Sequence, residues 1–220
     1  MTAPVCAYCG RDRGRRPCPA LGGAISPACC GRHRGVDIDC PAHCKYFKEH
    51  EEYQRRRLGP EFQRAWLEAM EPFYRERADD LFDFEVYLER VLYAEYALKP
   101  RGTDAEVLQA LEGLRAELGP IVVAAVETPP TETERHLHEA VREYLERVGR
   151  PAPEEARRAV EALIAVMETL RDPNGRDARR ALHGLLGHVE QFLGVPPEIR
   201  QAQEEQGRLI ETPKILRPED

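Results

Sequence analysis

All seven cysteines of this 220-residue chain (Cys6, Cys9, Cys18, Cys29, Cys30, Cys40 and Cys44) fall within its first 44 residues. A stretch that short buries too little apolar surface to be stable by itself, and disulfides or a structural metal usually make up the difference. The amino terminus has neither the basic region nor the apolar run of a signal peptide. The chain is therefore expected to remain in a reducing, cytoplasmic compartment, where clustered thiols bind metal more often than they pair. An odd number of cysteines also leaves one unmatched in any complete set of disulfides.

The spacing sharpens this expectation. Cys6-Ala-Tyr-Cys9-Gly10 places two sulfurs on one tight turn, with a glycine where the backbone must relax. Cys29-Cys30-Gly31-Arg32-His33 adds two thiols and an imidazole, and Cys40-Pro-Ala-His-Cys44 forms a looser pair. Tetrahedral zinc takes four thiolate or imidazole ligands, so seven cysteines and His33 suffice for two closed Zn2+ sites. Consecutive cysteines in extended backbone point to opposite sides. The expected division is therefore Cys6, Cys9, Cys30 and His33 on one ion, with Cys18, Cys29, Cys40 and Cys44 on the other. His50 competes with His33 for the eighth place, and His43 is a bystander.

The segment Cys18-Pro-Ala-Leu-Gly-Gly-Ala-Ile-Ser-Pro-Ala-Cys29-Cys30-Gly31 resembles the SEC-C zinc motif, which reads Cys-x-Cys, eight residues, then Cys-Cys or Cys-His. Ala20 replaces the second cysteine of that pattern, so a single-ion site of this type is incomplete without Cys6, Cys9, Cys40 or Cys44. Residues 6–47 also resemble the cysteine-rich heads of uncharacterised bacterial proteins that join such a motif to an unrelated helical body. The resemblance implies zinc binding and partner docking, and no reaction.

Charge divides the chain at the same place. Residues 1–58 hold 11 Lys and Arg against 6 Asp and Glu, a net +5, whereas the rest carries −12 of the total −7. Thiolate ligands on two zinc ions would lower the head to about +2. The clustered Arg11, Arg13, Arg15, Arg16, Arg32, Arg34 and Arg55–Arg57, with Tyr8, Tyr46 and Phe47, suit contact with phosphates and bases. The acidic body opposes sustained attraction to nucleic acid, which makes this the second expectation, after a protein partner.

The remainder reads as consecutive amphipathic helices, so the expected fold is mainly α: a zinc-binding head over 1–58, an antiparallel helical bundle over 59–207 and an extended tail over 208–220. Gly59-Pro60 is expected to open the first helix, with Phe62, Trp66 and Met70 inward and a break at Pro72. Thr103-x-x-Glu106 and Thr131-x-x-Glu134 are capping boxes, and Gly149 is a stop. Val148 and Phe192 continue the inward stripes of their helices. Ile121–Val126 and residues 208–213 are apolar enough to form two short strands.

Recognisable catalytic signatures are missing. The chain has no P-loop, no nucleophile elbow, no His-Glu-x-x-His, and no carboxylate three residues before any histidine. His136, His138, His183 and His188 are expected at the surface or its boundary, and Asp79-Asp80 at a helix terminus. The longest aliphatic stretch is far short of the roughly 20 residues of a membrane span. These features predict a zinc-binding protein-interaction or regulatory adaptor without catalytic activity. A nucleic-acid factor and a zinc–thiolate redox sensor are the alternatives.

Overall fold

The computed structural model describes residues 4–97, 99, 102–119, 130–197 and 199–201. Two antiparallel strands, β1 (Arg16–Cys18) and β2 (Gly23–Ile25), pair with Arg16 opposite Ile25 and Cys18 opposite Gly23. A short helix, α1 (Pro27–His33), follows directly. The rest of the described chain is helical: α2 (Lys45–Glu76), α3 (Asp79–Tyr96), α4 (Asp104–Glu117), α5 (Glu132–Val148), α6 (Pro153–Leu170) and α7 (Arg180–His188). The fold is mainly α, with a small amino-terminal region and a helical bundle. The candidate strands at 121–126 and 208–213, and the tail at 208–220, lie outside the described residues.

Both capping boxes form. Thr103 Oγ1 accepts from the Glu106 amide and Thr131 Oγ1 from the Glu134 amide, while each glutamate accepts from the amide of its cap residue. Gly149 ends α5 in the left-handed conformation, φ 73°. Asp79 and Asp80 occupy the first turn of α3, where carboxylates favour the helix dipole.

The expected helix start at Gly59 and break at Pro72 are replaced by one 32-residue helix, α2, which runs through residue 58 with both prolines inside it. Each proline removes the bond to a carbonyl four residues back, at Arg56 and Glu68. Arg56, Pro60, Glu68 and Pro72 are all exposed, so water can serve those carbonyls. The helix links two separate apolar clusters. Phe47 belongs to the cysteine-lined cluster of the head, whereas Phe62, Trp66, Met70 and Phe73 belong to the bundle core.

The bundle core contains the stripes that the periodicity marks: Leu81, Phe84, Leu88 and Leu92 on α3, Val107, Leu111 and Leu114 on α4, Leu137 and Val141 on α5, and Val160, Leu163 and Met167 on α6. Val148 and Phe192 depart from the expectation and are exposed. Val148 is the last residue of α5. Past His188, α7 continues as a π-helical turn, Val189–Leu193, whose extra residue per turn swings Phe192 off the stripe.

Residues 181–188 of α7 are buried all round. Gly184 and Gly187 let α2 lie against α7, because a Cβ on Gly187 would collide with the Arg55 carbonyl. Arg179, at the amino end of α7, supplies no side-chain cap. Instead Asp104 reaches across from α4, and its carboxylate accepts from the amides of Leu182 at 2.8 Å and Ala181 at 3.2 Å.

His183 and His188 are not surface residues. Both are buried, His183 against Glu51 and His188 against Glu89. Their five-residue separation conceals this, because α7 has no solvent-facing side on which to place either ring. His136 is exposed and His138 half-buried.

Candidate metal centre

The Cys6–Gly10 turn is closed from both sides. The Cys6 amide donates to the Asp12 carbonyl at 2.8 Å, and the Gly10 amide donates to the Cys6 carbonyl at 2.9 Å. Gly10 takes φ +64°, a conformation that side chains disfavour. Val5 bridges to Arg13, and the Ala7 amide donates to the Ala24 carbonyl, which docks the turn on β2.

Ser26-Pro27 sets the register of α1. Ser26 Oγ accepts from the Cys29 amide at 3.1 Å, and Pro27 occupies the first turn, where its missing N–H is no loss. Cys29 therefore stands in the first turn of the helix, facing the Cys6–Cys9 turn. The ligand atoms of Cys6, Cys9 and Cys29 all lie within 4.8 Å of one another, and among the described residues they are the one such group of three or more Cys, His, Asp or Glu. None of the seven cysteines is in a disulfide.

The electrostatics of Cys6 suit an anionic sulfur. Burial pushes its pKa up, but the backbone N–H groups of Cys9, Ser26 and Tyr8 outweigh burial and bring it down to about 6. The Ser26 amide lies 3.2 Å from the sulfur. Cys29 moves the other way: the Ser26 hydroxyl lowers its pKa, but burial and the neighbouring Cys9 and Cys6 sulfurs raise it above the ordinary thiol value. Three thiols competing for one small space cannot all ionise cheaply without a cation. A soft-ligand divalent metal answers that demand, and the donor set fits zinc.

The expected division of ligands changes in one respect. Cys29, not Cys30, joins Cys6 and Cys9. The two residues lie on a helix and not on extended backbone, so they diverge by roughly 100° instead of 180°. Cys30 turns inward and is buried, like Cys6, Cys18, Cys40 and Cys44, in one cluster with Ile25, Ile38 and Phe47, and Cys9 and Cys29 pack against that cluster. Burial raises the Cys40 pKa, the Gly35 amide opposes this, and the neighbouring Cys44, Cys18 and Cys30 sulfurs add to the rise. These four thiols share one compartment but do not draw together as the first three do.

His33 sits four residues after Cys29 on α1, on the same side of the helix. Its Nδ1 is 2.5 Å from Asp37 Oδ2 and 3.2 Å from the Tyr8 hydroxyl, and its ring stacks on Tyr8 at 4.3 Å. A carboxylate accepts only, so Asp37 fixes the hydrogen on Nδ1 and leaves the lone pair on Nε2. His33 is outside the group within 4.8 Å. His50 is edge-on to His183 at 6.5 Å and lines one cavity with Cys40, and His43 is exposed.

Asp37 and Asp12 were not singled out by sequence reasoning, although Asp37 follows His33 by a helical turn and Ser26-Pro27 is a readable helix start. No protein-family model, curated protein or solved structure matches this chain.

Proposed function

We propose that the chain is a zinc-binding adaptor whose metal sites fix the shape of a protein-docking head and perform no catalysis. The reading rests on the convergence of Cys6, Cys9 and Cys29. His33 Nε2 completes that site as a fourth ligand after a small closure of α1 on the turn, and Cys18, Cys30, Cys40 and Cys44 take a second ion. Four protein ligands on each ion leave no open position for water or substrate, which separates structural from catalytic zinc. Asp37 orients the histidine as carboxylates commonly do behind zinc-bound imidazoles.

A protein is favoured over nucleic acid as the partner because several arginines of the basic head are already committed. Arg16 lies over the Tyr46 ring at 4.6 Å, Arg34 donates to the Tyr46 carbonyl, and Arg55 pairs with Glu190 and donates to the Ala97 carbonyl. Arg11, Arg13, Arg15 and Arg32 remain exposed beside the exposed Val5 and Tyr8. This mixture of cationic and apolar groups suits an acidic, partly apolar protein surface.

The test is native mass spectrometry of the full chain in reducing buffer, paired with crosslinking in cell extract before and after metal removal. Two zinc ions per chain and a crosslinked partner lost on chelation are expected. A folded chain that binds no metal would overturn the reading. Binding to random DNA or RNA that weakens steeply with salt, and fails when Arg13 and Arg15 are replaced, would assign the head to nucleic acid instead.

A further inference from the structure

Where the head meets the body, the loop from Arg34 to Cys40, the first turns of α2, Thr103 and the loop before α7 enclose a cavity of about 470 Å3. Arg34, His50, Glu51, Arg176, Asp177 and His183 stand on its walls, and none of the three converging cysteines does. The volume falls within the roughly 300–1,000 Å3 of small-molecule sites.

Glu51 organises the floor. Its Oε1 lies 3.0 Å from His183 Nε2 and its Oε2 3.0 Å from Arg179 Nη1. The carboxylate accepts only, so Nε2 carries a hydrogen, and in the neutral imidazole Nδ1 is then an acceptor. That atom is buried without a hydrogen-bond partner, on a side chain only 4% exposed. Arg34 Nε is a second buried atom without a partner, although Nη1 of the same guanidinium donates to Tyr46. Both residues line the cavity, and buried polar groups are usually hydrogen-bonded.

The charges around the cavity are mixed, Arg34, Arg176 and Arg179 standing with Asp37, Asp39, Glu51 and Asp177. Neither Arg34 nor Arg176 forms an ion pair among the described residues, whereas the acids nearby are engaged. Glu51 holds Arg179 and His183, Asp37 holds His33, and Asp177 accepts from the Arg179 amide at 3.2 Å.

We infer that this cavity binds a small molecule carrying a compact oxyanion and a hydroxyl group, as in a phosphate monoester or a hydroxy acid. Arg34 and Arg176 meet the oxyanion, and His183 Nδ1 accepts from the hydroxyl. The inference stands apart from the adaptor reading, since Arg34, Arg176 and His183 are not metal ligands, although Cys40, a ligand of the proposed second ion, lines the same cavity. It would hold whether the head docks on protein or on nucleic acid.

Titration calorimetry of the full-length chain at constant ionic strength, with inorganic phosphate and with malate, tests this. At least one of the two should bind saturably with one site per chain. Affinity should fall about tenfold in R34Q and roughly three- to tenfold in R176Q, the loss of one charge-assisted contact. R176Q alters an exposed rim residue and leaves the buried network in place. R142Q on α5, far from the cavity walls, should bind like the parent chain. Saturable heat from neither probe, or binding equally strong in R34Q and R176Q, would overturn the proposal.

Discussion

Glu89 and His188 face each other in the middle of the bundle, Oε2 to Nε2 at 3.1 Å, with both side chains wholly excluded from solvent. The pair is close without the alignment of a hydrogen bond, and Glu85 is buried beside it, accepting from Trp66 Nε1 at 2.7 Å. Charges in so dry a place would be costly, and burial favours protonated carboxyls and an unprotonated imidazole. Burial raises Glu89 to about 8 and lowers His188 to about 4; burial, then the neighbouring Glu89 charge, raises Glu85 well above the ordinary carboxyl range. Near pH 7 Glu89 keeps its proton and His188 lacks one.

This arrangement fixes a pH dependence. Glu89 keeps its proton in the folded chain where the unfolded chain has lost it, so its stabilisation is complete below the ordinary value of 4.5 and is lost as pH rises through about 8. His188 works in reverse: its contribution is complete above 6.5 and is lost as pH falls through about 4. Between 4.5 and 6.5 the slopes of this pair oppose each other; above 6.5 the loss from Glu89 is no longer offset by His188, and Glu85, also raised, adds a loss of the same sign. Glu89→Gln removes the first of these losses. Urea denaturation should find the variant and the parent chain similar near pH 5, with the variant gaining about 1.4 kcal/mol per pH unit from there up to about pH 8. Parallel pH profiles for the two chains would contradict the assignment.

The α2–α7 contact gives a prediction of opposite sign to helix propensity. Gly187→Ala should stabilise an isolated helix by about 1 kcal/mol. Here the new Cβ meets the carbonyl carbon and oxygen of Arg55, which are backbone atoms of the neighbouring helix and cannot swing aside. The substitution should destabilise by about 1–3 kcal/mol, the usual range for overpacking, in thermal or chemical unfolding. Gly175→Ala makes a useful contrast: nothing lies within 4 Å of its Cβ, so any cost comes from its left-handed backbone, φ +63°.

Asp104 and the start of α7 form a cap that no local motif announces. Asp104→Ala strands the Ala181 and Leu182 amides in a buried place. Loss of bonds to a charged acceptor should cost about 2–4 kcal/mol, more than the roughly 1 kcal/mol expected for Thr131→Ala at a local cap. Hydrogen exchange at Leu182 should accelerate in Asp104→Ala and remain slow in Thr131→Ala.

What could be read from the sequence follows how local each cause is. The capping boxes at Thr103 and Thr131, the stop at Gly149 and, apart from Val148, the stripes from Phe62 to Val189 depend on neighbours within a turn or two, and they appeared where the spacing put them. Pro60 and Pro72 misled because proline breaks a helix only where the freed carbonyl has no solvent. His188 misled because its burial is set by α2 and α3, which are distant in sequence. In the head, the crowding of the cysteines was legible from composition and spacing. Their division was not: whether Cys29 or Cys30 faces Cys6 is decided by the register that Ser26 imposes on α1, a helix of seven residues too short to announce itself by periodicity.

That register makes the two adjacent cysteines separable by experiment. If the chain holds the two ions proposed above, Cys29→Ser should remove the one at Cys6 and Cys9, whereas Cys30→Ser should leave that ion in place and release the one proposed for Cys18, Cys40 and Cys44. Cobalt substitution reports each centre by its ligand-field bands, and native mass spectrometry counts the ions. Asp37→Asn tests the orienting carboxylate behind His33. It keeps the size of the side chain but weakens its hold on Nδ1, and loss of such an outer partner typically lowers metal affinity 10- to 100-fold. The drop should appear in the centre that Cys29→Ser abolishes and be absent from the one that Cys30→Ser abolishes. If Cys29→Ser and Cys30→Ser instead released the same ion, the geometry that sets Cys29 against Cys6 and Cys9 would not be the metal-binding one.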